Sequence, residues 1–155
     1  MPQNRTLLML IALACFGMIG AALYLQHYKD LLPCPLCVIQ RYIFLVIGIV
    51  SLIAASAGKP KVWGGVAMLA ALAGLATVGK HLYVLAHPGL SCGIDPMETF
   101  LNKIPTAVYL PWIFKADGLC EDARDTLLGL SVPQWSALGF AIVTAALLVT
   151  MVRRR

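Results

Sequence analysis

The segment LLPCPLCVIQR, residues 31–41, contains two cysteines three positions apart, which is the spacing of a redox-active dithiol. A disulfide between Cys34 and Cys37 would restrain very little of the unfolded chain, so stability is a weak reason to build it. Pro35 suits the first position of a helix, which makes Cys34 its N-cap and Cys37 its third residue. The partial positive charge at a helix N-terminus stabilises thiolates and lowers their pKa. The pattern therefore indicates thiol–disulfide exchange chemistry.

Arg41 follows Cys37 by four positions and Cys34 by seven, so a helix places it on the face of Cys37 and near that of Cys34. An ionisable side chain inside an apolar segment is a functional candidate, and the alternative is an arginine that snorkels to the membrane interface. At 1.5 Å per residue, Lys80 and His81 lie about 27 to 28 Å along another apolar segment, near the same boundary. Arg41, Lys80 and His81 can therefore converge beside the dithiol, where a hydrophobic molecule with a polar, electron-accepting head would fit. A plain interfacial histidine is the alternative for His81.

The segments around the dithiol indicate a membrane protein. The chain has 155 residues, of which 60% are hydrophobic and only 12% charged, whereas about 25% are charged in soluble domains. Four segments reach the roughly 20 apolar residues that cross a bilayer, and they are residues 7–25, 38–57, 62–86 and 135–152. The sequence thus predicts a single all-α membrane domain over residues 1–155, a bundle of four transmembrane helices. The net charge of +5 does not indicate a nucleic-acid partner, because the basic residues form no stripe interleaved with aromatic residues.

The first apolar segment has an alternative interpretation as a cleaved signal peptide, since Arg5 precedes it and residues 12–15 (ALAC) resemble a lipoprotein cleavage site. The apolar run continues ten residues past Cys15, too far for an apolar signal region of about 7–15 residues. We therefore interpret the segment as a transmembrane helix, with Cys15 as a small apolar residue packed inside it.

The distribution of charge predicts how the helices are oriented. Basic residues mark both ends of the chain and the short second connection: Arg5, Lys59, Lys61 and residues 153–155. All seven acidic residues fall in the other two connections: Asp30, Asp95, Glu98, Asp117, Glu121, Asp122 and Asp125. Because short loops rich in Lys and Arg stay in the cytoplasm, we expect both termini to be cytoplasmic and residues 26–37 and 87–134 to form two outer loops.

This topology places four cysteines, Cys34, Cys37, Cys92 and Cys120, in the outer loops, where an even number fits disulfide pairing. Three connectivities are open, and pairing within each loop, Cys34–Cys37 and Cys92–Cys120, is favoured. A Cys92–Cys120 bond would close a loop of about 29 residues and contribute roughly 3.6 kcal/mol to the free energy of unfolding. A structural disulfide is therefore a sound interpretation of that pair. Zinc or copper(I) binding by the four thiols is a further alternative, weakened by the lack of a second CxxC motif.

The chain resembles the DsbB family of bacterial inner-membrane disulfide-forming oxidoreductases. The likeness is carried by QHYKDLLPCPLCVIQRY (residues 26–42), by the KH pair of the third apolar segment and by GLCEDARDTLLGLSVPQW (residues 118–135). Its specific motifs are a CxxC followed four positions later by arginine, a second outer cysteine pair, and the PQW that opens the final helix. The resemblance runs from the first apolar segment to the last.

The resemblance implies a quinone-dependent thiol oxidase of the bacterial inner membrane, multi-pass and with both outer loops in the periplasm. Cys92 would take the incoming thiol of a periplasmic thioredoxin-fold oxidase like DsbA, and Cys120 would then attack Cys34. Cys37 would contact the quinone, either ubiquinone or menaquinone, which accepts the electrons. No metal site is expected. The alternative function is a non-catalytic membrane scaffold or transporter subunit with structural disulfides.

Two further positions match family residues near the quinone. Arg41 matches an arginine that can stabilise negative charge on the reduced ring, and His81 matches a histidine proposed to lie near the same ring. Lys80 departs from the family pattern, because a relative has an acidic residue at this position. The segment 95–114 mixes polar and apolar residues and is expected to lie partly flat on the membrane. It forms either a mobile loop that carries Cys120 or an ordered loop.

Overall fold

Helices make up most of the computed structural model, which describes residues 2–56, 60–87, 89, 94–120 and 126–153. The elements are, in chain order, α1 (Pro2–Tyr28), α2 (Pro35–Ser56), α3 (Pro60–Ala86), α4 (Ile94–Lys103), α5 (Pro105–Tyr109), α6 (Pro111–Phe114), β1 (Thr126–Leu127), β2 (Leu130–Ser131) and α7 (Val132–Val152). The two strands pair as a small antiparallel hairpin directly before α7. Proline is the first residue of five of these helices, where its missing N–H is not needed.

Among the described residues, four helices are long and apolar enough to cross a membrane, over Asn4–Tyr28, Pro35–Ser56, Val62–Ala86 and Val132–Val152. The prediction of a four-helix transmembrane bundle is therefore confirmed. All four long helices, α1, α2, α3 and α7, begin earlier than their predicted spans, because prolines and polar residues in a first turn lower hydropathy without preventing a helix. Large apolar side chains are exposed along the bundle, as expected where lipid is the solvent: Leu13, Ile49, Leu69 and Ile142. Which end of the bundle faces the periplasm stays a prediction.

The four transmembrane helices pack in a ring, since α1 contacts α2, α2 contacts α3, α3 contacts α7 and α7 contacts α1. Near the centre of the ring, Phe44 and Phe140 stack with their ring centroids 4.0 Å apart. Gly74 leaves the space that the Phe140 ring occupies. Cys15 is buried in the same apolar core, as predicted. The other core residues are Leu8, Ile11, Ile47, Val50, Ala54, Ala67, Ala71, Val78, Val143 and Leu147.

The segment after α6 docks on the connection between α1 and α2. The backbone N–H groups of Asp117 and Gly118 both donate to the carbonyl of Pro33, at 3.1 Å each. Gly118 permits this approach, because a Cβ at that position would collide with the backbone carbonyl of Leu32. These contacts hold the α1–α2 connection and the segment after α6 together at the end of the bundle where α2 begins.

The segment 95–114 lies within α4, α5 and α6 and the single residues between them. The Asn102 side chain makes two hydrogen bonds of 2.9 Å with the backbone of Ala116, accepting from its N–H and donating to its C=O. The Gln26 amide of α1 donates to the carbonyl of Trp112 at 3.2 Å. These bonds agree with the ordered-loop alternative, while the orientation of the segment on a membrane stays a prediction.

The final helix begins directly after the hairpin. The side-chain oxygen of Gln134 accepts a hydrogen bond from the N–H of Ser131 at 2.8 Å, which satisfies a backbone donor at the start of α7. The indole N–H of Trp135 donates to the carbonyl of Leu127 at 2.9 Å and ties the helix to the hairpin. The PQW motif therefore stands at the start of the last helix, as the sequence predicts.

Candidate redox site

Cys34 and Cys37 lie at the N-terminus of α2, which begins at Pro35 as predicted. The N–H of Cys37 donates to the Cys34 sulfur at 3.2 Å, and the N–H of Val38 donates to the Cys34 carbonyl at 3.0 Å. Both cysteines are free thiols, and their sulfurs lie 2.8 Å apart. The structure therefore holds the two sulfurs in contact within the first turn of the helix.

The two thiols have different surroundings. Cys34 is fully buried, whereas Cys37 is half-buried and lines a cavity. The expected lowering of the pKa at the helix N-terminus is wrong for Cys34. Burial raises the pKa of this thiol, the Cys37 side chain raises it further, and backbone N–H groups oppose the increase too weakly. At neutral pH Cys34 is therefore protonated, and it needs a proton acceptor before it can react as a thiolate.

His81 of α3 is fully buried beside the dithiol. Its Nε2 atom lies 3.7 Å from the Cys34 sulfur, and its Nδ1 atom lies 3.3 Å from the Gln40 side-chain nitrogen. The imidazole also lies in hydrogen-bonding contact with the backbone of Cys120. His81 is thus positioned to exchange a proton with Cys34.

Gln40 is a further candidate residue, to which the sequence pattern gave no role. It is buried, it contacts His81 and it also lines the cavity, so it connects the two sides of the dithiol. In the orientation shown, the Gln40 amide nitrogen donates to Nδ1 when the ring proton lies on Nε2. With the amide turned, its oxygen accepts the Nδ1–H and leaves Nε2 free to accept a proton from sulfur. The sequence does contain a signal for Gln40, which is an amide next to Arg41 inside an apolar segment. A buried polar group needs a hydrogen-bond partner, so such an amide indicates a polar neighbour on another helix.

A cavity of about 200 Å³ opens beside Cys37, between α1, α2 and the start of α7. Its polar lining is formed by Gln26, Asp30, Cys37, Gln40, Arg41 and Ser136, and the rest of the wall is apolar. That apolar wall includes Met18, Ile19, Ala22, Leu25 and Phe44. His81 is not among the lining residues, so its predicted direct contact with a quinone stays a prediction. The cavity can hold a flat apolar molecule that presents a polar group to Cys37.

Arg41 is buried at the wall of this cavity. Its Nη1 donates to the Gln26 side-chain oxygen at 2.8 Å and to the carbonyl of Ile113 at 2.6 Å. It therefore ties α2 to α1 and to α6. Within the described ranges it has no carboxylate partner, and the salt bridge found there joins Lys115 to Asp117. Asp30 lines the same cavity without a salt bridge to Arg41 in the described part of the chain. The buried guanidinium therefore still favours negative charge nearby, whether on a thiolate or on a bound ligand.

Lys80 is exposed, although the neighbouring His81 is buried. Consecutive residues of a helix point about 100° apart, and on α3 this rotation turns Lys80 to the exposed face while His81 faces the dithiol. The predicted convergence is therefore correct for Arg41, which shares the cavity wall with Cys37, and for His81, and wrong for Lys80.

Cys120 lies on the same side of the dithiol as His81. It is buried and disulfide-bonded, and it belongs to one buried cluster with Cys34, Leu36 and Val84. Cys92 lies outside the described residues, so the Cys92–Cys120 pairing stays a prediction. The structure thus places a disulfide sulfur in the packed surroundings of the buried thiol.

Comparisons with known proteins find relatives along nearly the whole chain. The family model described as disulfide bond formation protein DsbB matches residues 4–150. The chain is similar to disulfide bond formation protein B of Ralstonia nicotianae, with 46% identity over 98% of this chain and 96% of that protein. It is 49% identical to disulfide bond formation protein B of Cupriavidus necator, over 98% of this chain and 95% of that protein. With the protein of the same name from Herminiimonas arsenicoxydans it shares 45% identity over 100% and 99% of the two chains.

Proposed function

The chain belongs to the DsbB family of disulfide bond formation proteins, and from this premise we propose that it reoxidises a periplasmic, DsbA-like thiol oxidase with membrane quinone as electron acceptor. It is a disulfide-forming oxidoreductase, and the alternative of a non-catalytic scaffold or transporter subunit is set aside by that membership. One observation carries the proposal in this chain. The dithiol has one sulfur buried in the cluster of Cys120 and the other on the wall of a cavity.

We propose that electrons enter at the second cysteine pair. A thiolate of the reduced partner attacks Cys92, which forms a mixed disulfide and releases Cys120 as a thiolate. Cys120 then attacks the Cys34 sulfur of an oxidised Cys34–Cys37 pair and releases Cys37 as a thiolate. The second thiol of the partner displaces Cys92, which resolves the Cys34–Cys120 bond and returns Cys92 and Cys120 to a disulfide. The partner has then lost two electrons and two protons, and Cys34 and Cys37 have gained them.

The burial of Cys34 gives His81 a role when the reduced pair is oxidised again, the step in which Cys34 loses its proton. Because burial raises the pKa of the Cys34 thiol, removal of its proton requires an acceptor in contact with the sulfur. His81 Nε2, 3.7 Å away, is that acceptor. Gln40 holds the ring through Nδ1 and keeps it in this orientation. A direct contact of His81 with the quinone ring is not needed for this role.

The residues around the cavity fit a quinone. Its apolar wall suits the ring, Cys37 presents a half-buried sulfur, and Arg41 supplies a positive charge without a carboxylate partner in the described part of the chain. When bound, ubiquinone or menaquinone supplies a two-electron acceptor that is soluble in the bilayer. Cys37 would lie against it and Arg41 would stabilise the negative charge that develops on it. A bound ring would displace water from the apolar wall formed by Phe44 and the α1 residues.

The chain is a multi-pass membrane protein, and we propose that it lies in the bacterial inner membrane with both termini cytoplasmic. The charge distribution supports this orientation, which places the dithiol and the segment of α4 to α6 on the periplasmic side. A strongly oxidising periplasmic dithiol can be reoxidised only by a stronger acceptor. Because quinone is confined to the bilayer, the reacting cysteine has to lie where a membrane helix begins.

The test is turnover by the purified protein with a reduced DsbA-like protein and a soluble quinone, followed by the absorbance of the quinone. We expect Cys37→Ser to lower turnover on the order of 10³-fold or more, because the sulfur at the cavity is lost. Cys15→Ser removes a thiol from the apolar core and is the matched control, with turnover within about twofold of the unmodified chain. Unchanged turnover in Cys37→Ser would reject the proposed route.

A further inference from the structure

The dithiol and His81 bring three soft ligand atoms together. The sulfurs of Cys34 and Cys37 and a ring nitrogen of His81 all lie within 4.8 Å of one another. Tetrahedral zinc, with bonds of about 2.3 Å to sulfur and 2.0 Å to nitrogen, requires S···N separations of about 3.6 Å and S···S separations of about 3.8 Å. The Cys34–His81 distance of 3.7 Å meets the first requirement. The sulfurs, 2.8 Å apart, must separate by roughly 1 Å to meet the second.

Cys37 is the ligand that can supply this movement. It is half-buried and borders the cavity, whereas Cys34 and His81 are held by full burial. A rotation of its side chain toward the cavity separates the sulfurs without moving α2. The cavity also gives an ion a path to the sulfur and leaves a fourth coordination position open to water.

The charge and the surroundings of the three ligands suit a dication. Two thiolates neutralise its charge, which a buried site requires. The second ring nitrogen of His81 is held by Gln40, as the outer nitrogen of a metal-ligating histidine usually is held. Arg41 opposes a cation, since its positive charge shares the cavity wall with Cys37. Binding therefore depends on both thiolates being available.

We propose that Cys34, Cys37 and His81 of the reduced protein bind one d¹⁰ divalent cation of the zinc type, which withholds the dithiol from oxidation. The two thiols release their protons to solvent on binding, and no electrons move. A disulfide between the same cysteines removes both thiolates, so the oxidised protein has no such site. The inference rests on the dithiol and not on the proposed function. It differs from a site of four outer thiols, because it uses His81 and does not use Cys92.

The test is an anaerobic titration of the purified full chain with Cd²⁺ as the probe for zinc, followed by the ultraviolet charge-transfer band of cadmium thiolate. Reduced protein is expected to bind one ion and oxidised protein none. His81→Ala is expected to weaken binding by at least about tenfold, and His81→Cys to restore it. Cys15→Ser is the control and should bind like the unmodified chain. Circular dichroism of each variant checks that its helices are intact.

Three results would overturn the inference. They are absence of the band in reduced protein, equal affinity in His81→Ala, or loss of the band in Cys92→Ser while Cys34 and Cys37 are reduced. The quinone assay separates this test from that of the proposed function. Arg41→Gln is expected to bind Cd²⁺ at least as tightly as the unmodified chain although its use of quinone falls.

Discussion

The two ends of the bundle bury polar side chains in different ways. At the end formed by the start of α1 and the ends of α2 and α7, Thr150 donates only to the carbonyl of Leu147 in its own helix. Ser51 is fully buried there, and its hydroxyl has no partner in the described part of the chain. At the dithiol end, Arg41 bonds the carbonyl of Ile113, which lies 72 positions away. Buried polarity by itself therefore does not mark the site, whereas hydrogen bonds between distant elements do.

Two buried cysteines give the same contrast. Cys15 and Cys34 are both free and both 0% exposed. Cys15 packs among apolar residues of the central core, such as Leu8 and Ile11. Cys34 contacts a second sulfur and the imidazole of His81. Equal burial thus accompanies a thiol among apolar side chains in one place and a thiol beside a sulfur and an imidazole in the other, so the neighbouring groups, and not burial, distinguish them.

Among substitutions that test the difference between the two ends of the bundle, Arg41→Gln is expected to have the largest effect. It removes the charge at the cavity wall, so the apparent Michaelis constant for quinone should rise about 10- to 100-fold, as for loss of a charged hydrogen bond. Steady-state kinetics with quinone and partner varied separately measure it. Lys80→Gln, an exposed cation next to His81, is the control and should change either constant by less than about twofold. A rise for the partner alone would contradict the assignment of Arg41.

A smaller effect concerns pH. Because burial raises the pKa of the Cys34 thiol, its thiolate fraction stays low and grows with pH. The rate of alkylation at Cys34 in reduced protein should therefore increase about tenfold per pH unit from about pH 6 to 8.5, without a plateau. Site-resolved mass spectrometry after timed alkylation measures this rate. A plateau within that range would show that the helix N-terminus outweighs burial after all.

The smallest effects are expected from glycine substitutions, one in the apolar core of the bundle and one where the segment after α6 docks at the dithiol end. Gly74→Ala places a methyl group against Phe140 in the apolar core and should lower stability by about 1–3 kcal/mol with little effect on exchange. Gly118→Ala places one against the carbonyl of Leu32 and should slow exchange between the two cysteine pairs by roughly tenfold or less.

Thermal unfolding and quenched-flow thiol trapping measure the two glycine effects. Gly79→Ala is the matched control, since a Cβ there meets nothing within 4 Å. If Gly74→Ala and Gly118→Ala slowed exchange between the two cysteine pairs equally, the proposed difference between the apolar core and the dithiol end would be wrong.

Much of the site could be predicted from short stretches of sequence. Pro35 identifies the start of α2 and so the positions of both thiols in its first turn. Arg41 is visible as a charge in an apolar segment. The pKa of Cys34 could not be predicted in the same way, because it depends on how deeply other elements bury the thiol. Gln40 had no assigned role for a related reason, since its partner His81 is 41 positions away in the chain.

The sequence by itself determined four membrane spans, the helix start at the dithiol and the family. The length of an apolar segment decides whether it can cross a bilayer, and a proline favours the first position of a helix. Both are local properties that neighbouring residues in the chain decide. Only the tertiary structure decided that His81 faces Cys34 while Lys80 faces outward, and that Gly118 brings Cys120 into the cluster of Cys34. The rotation of a helix about its axis and the docking of a loop depend on packing between segments far apart in the chain, so no single segment encodes them.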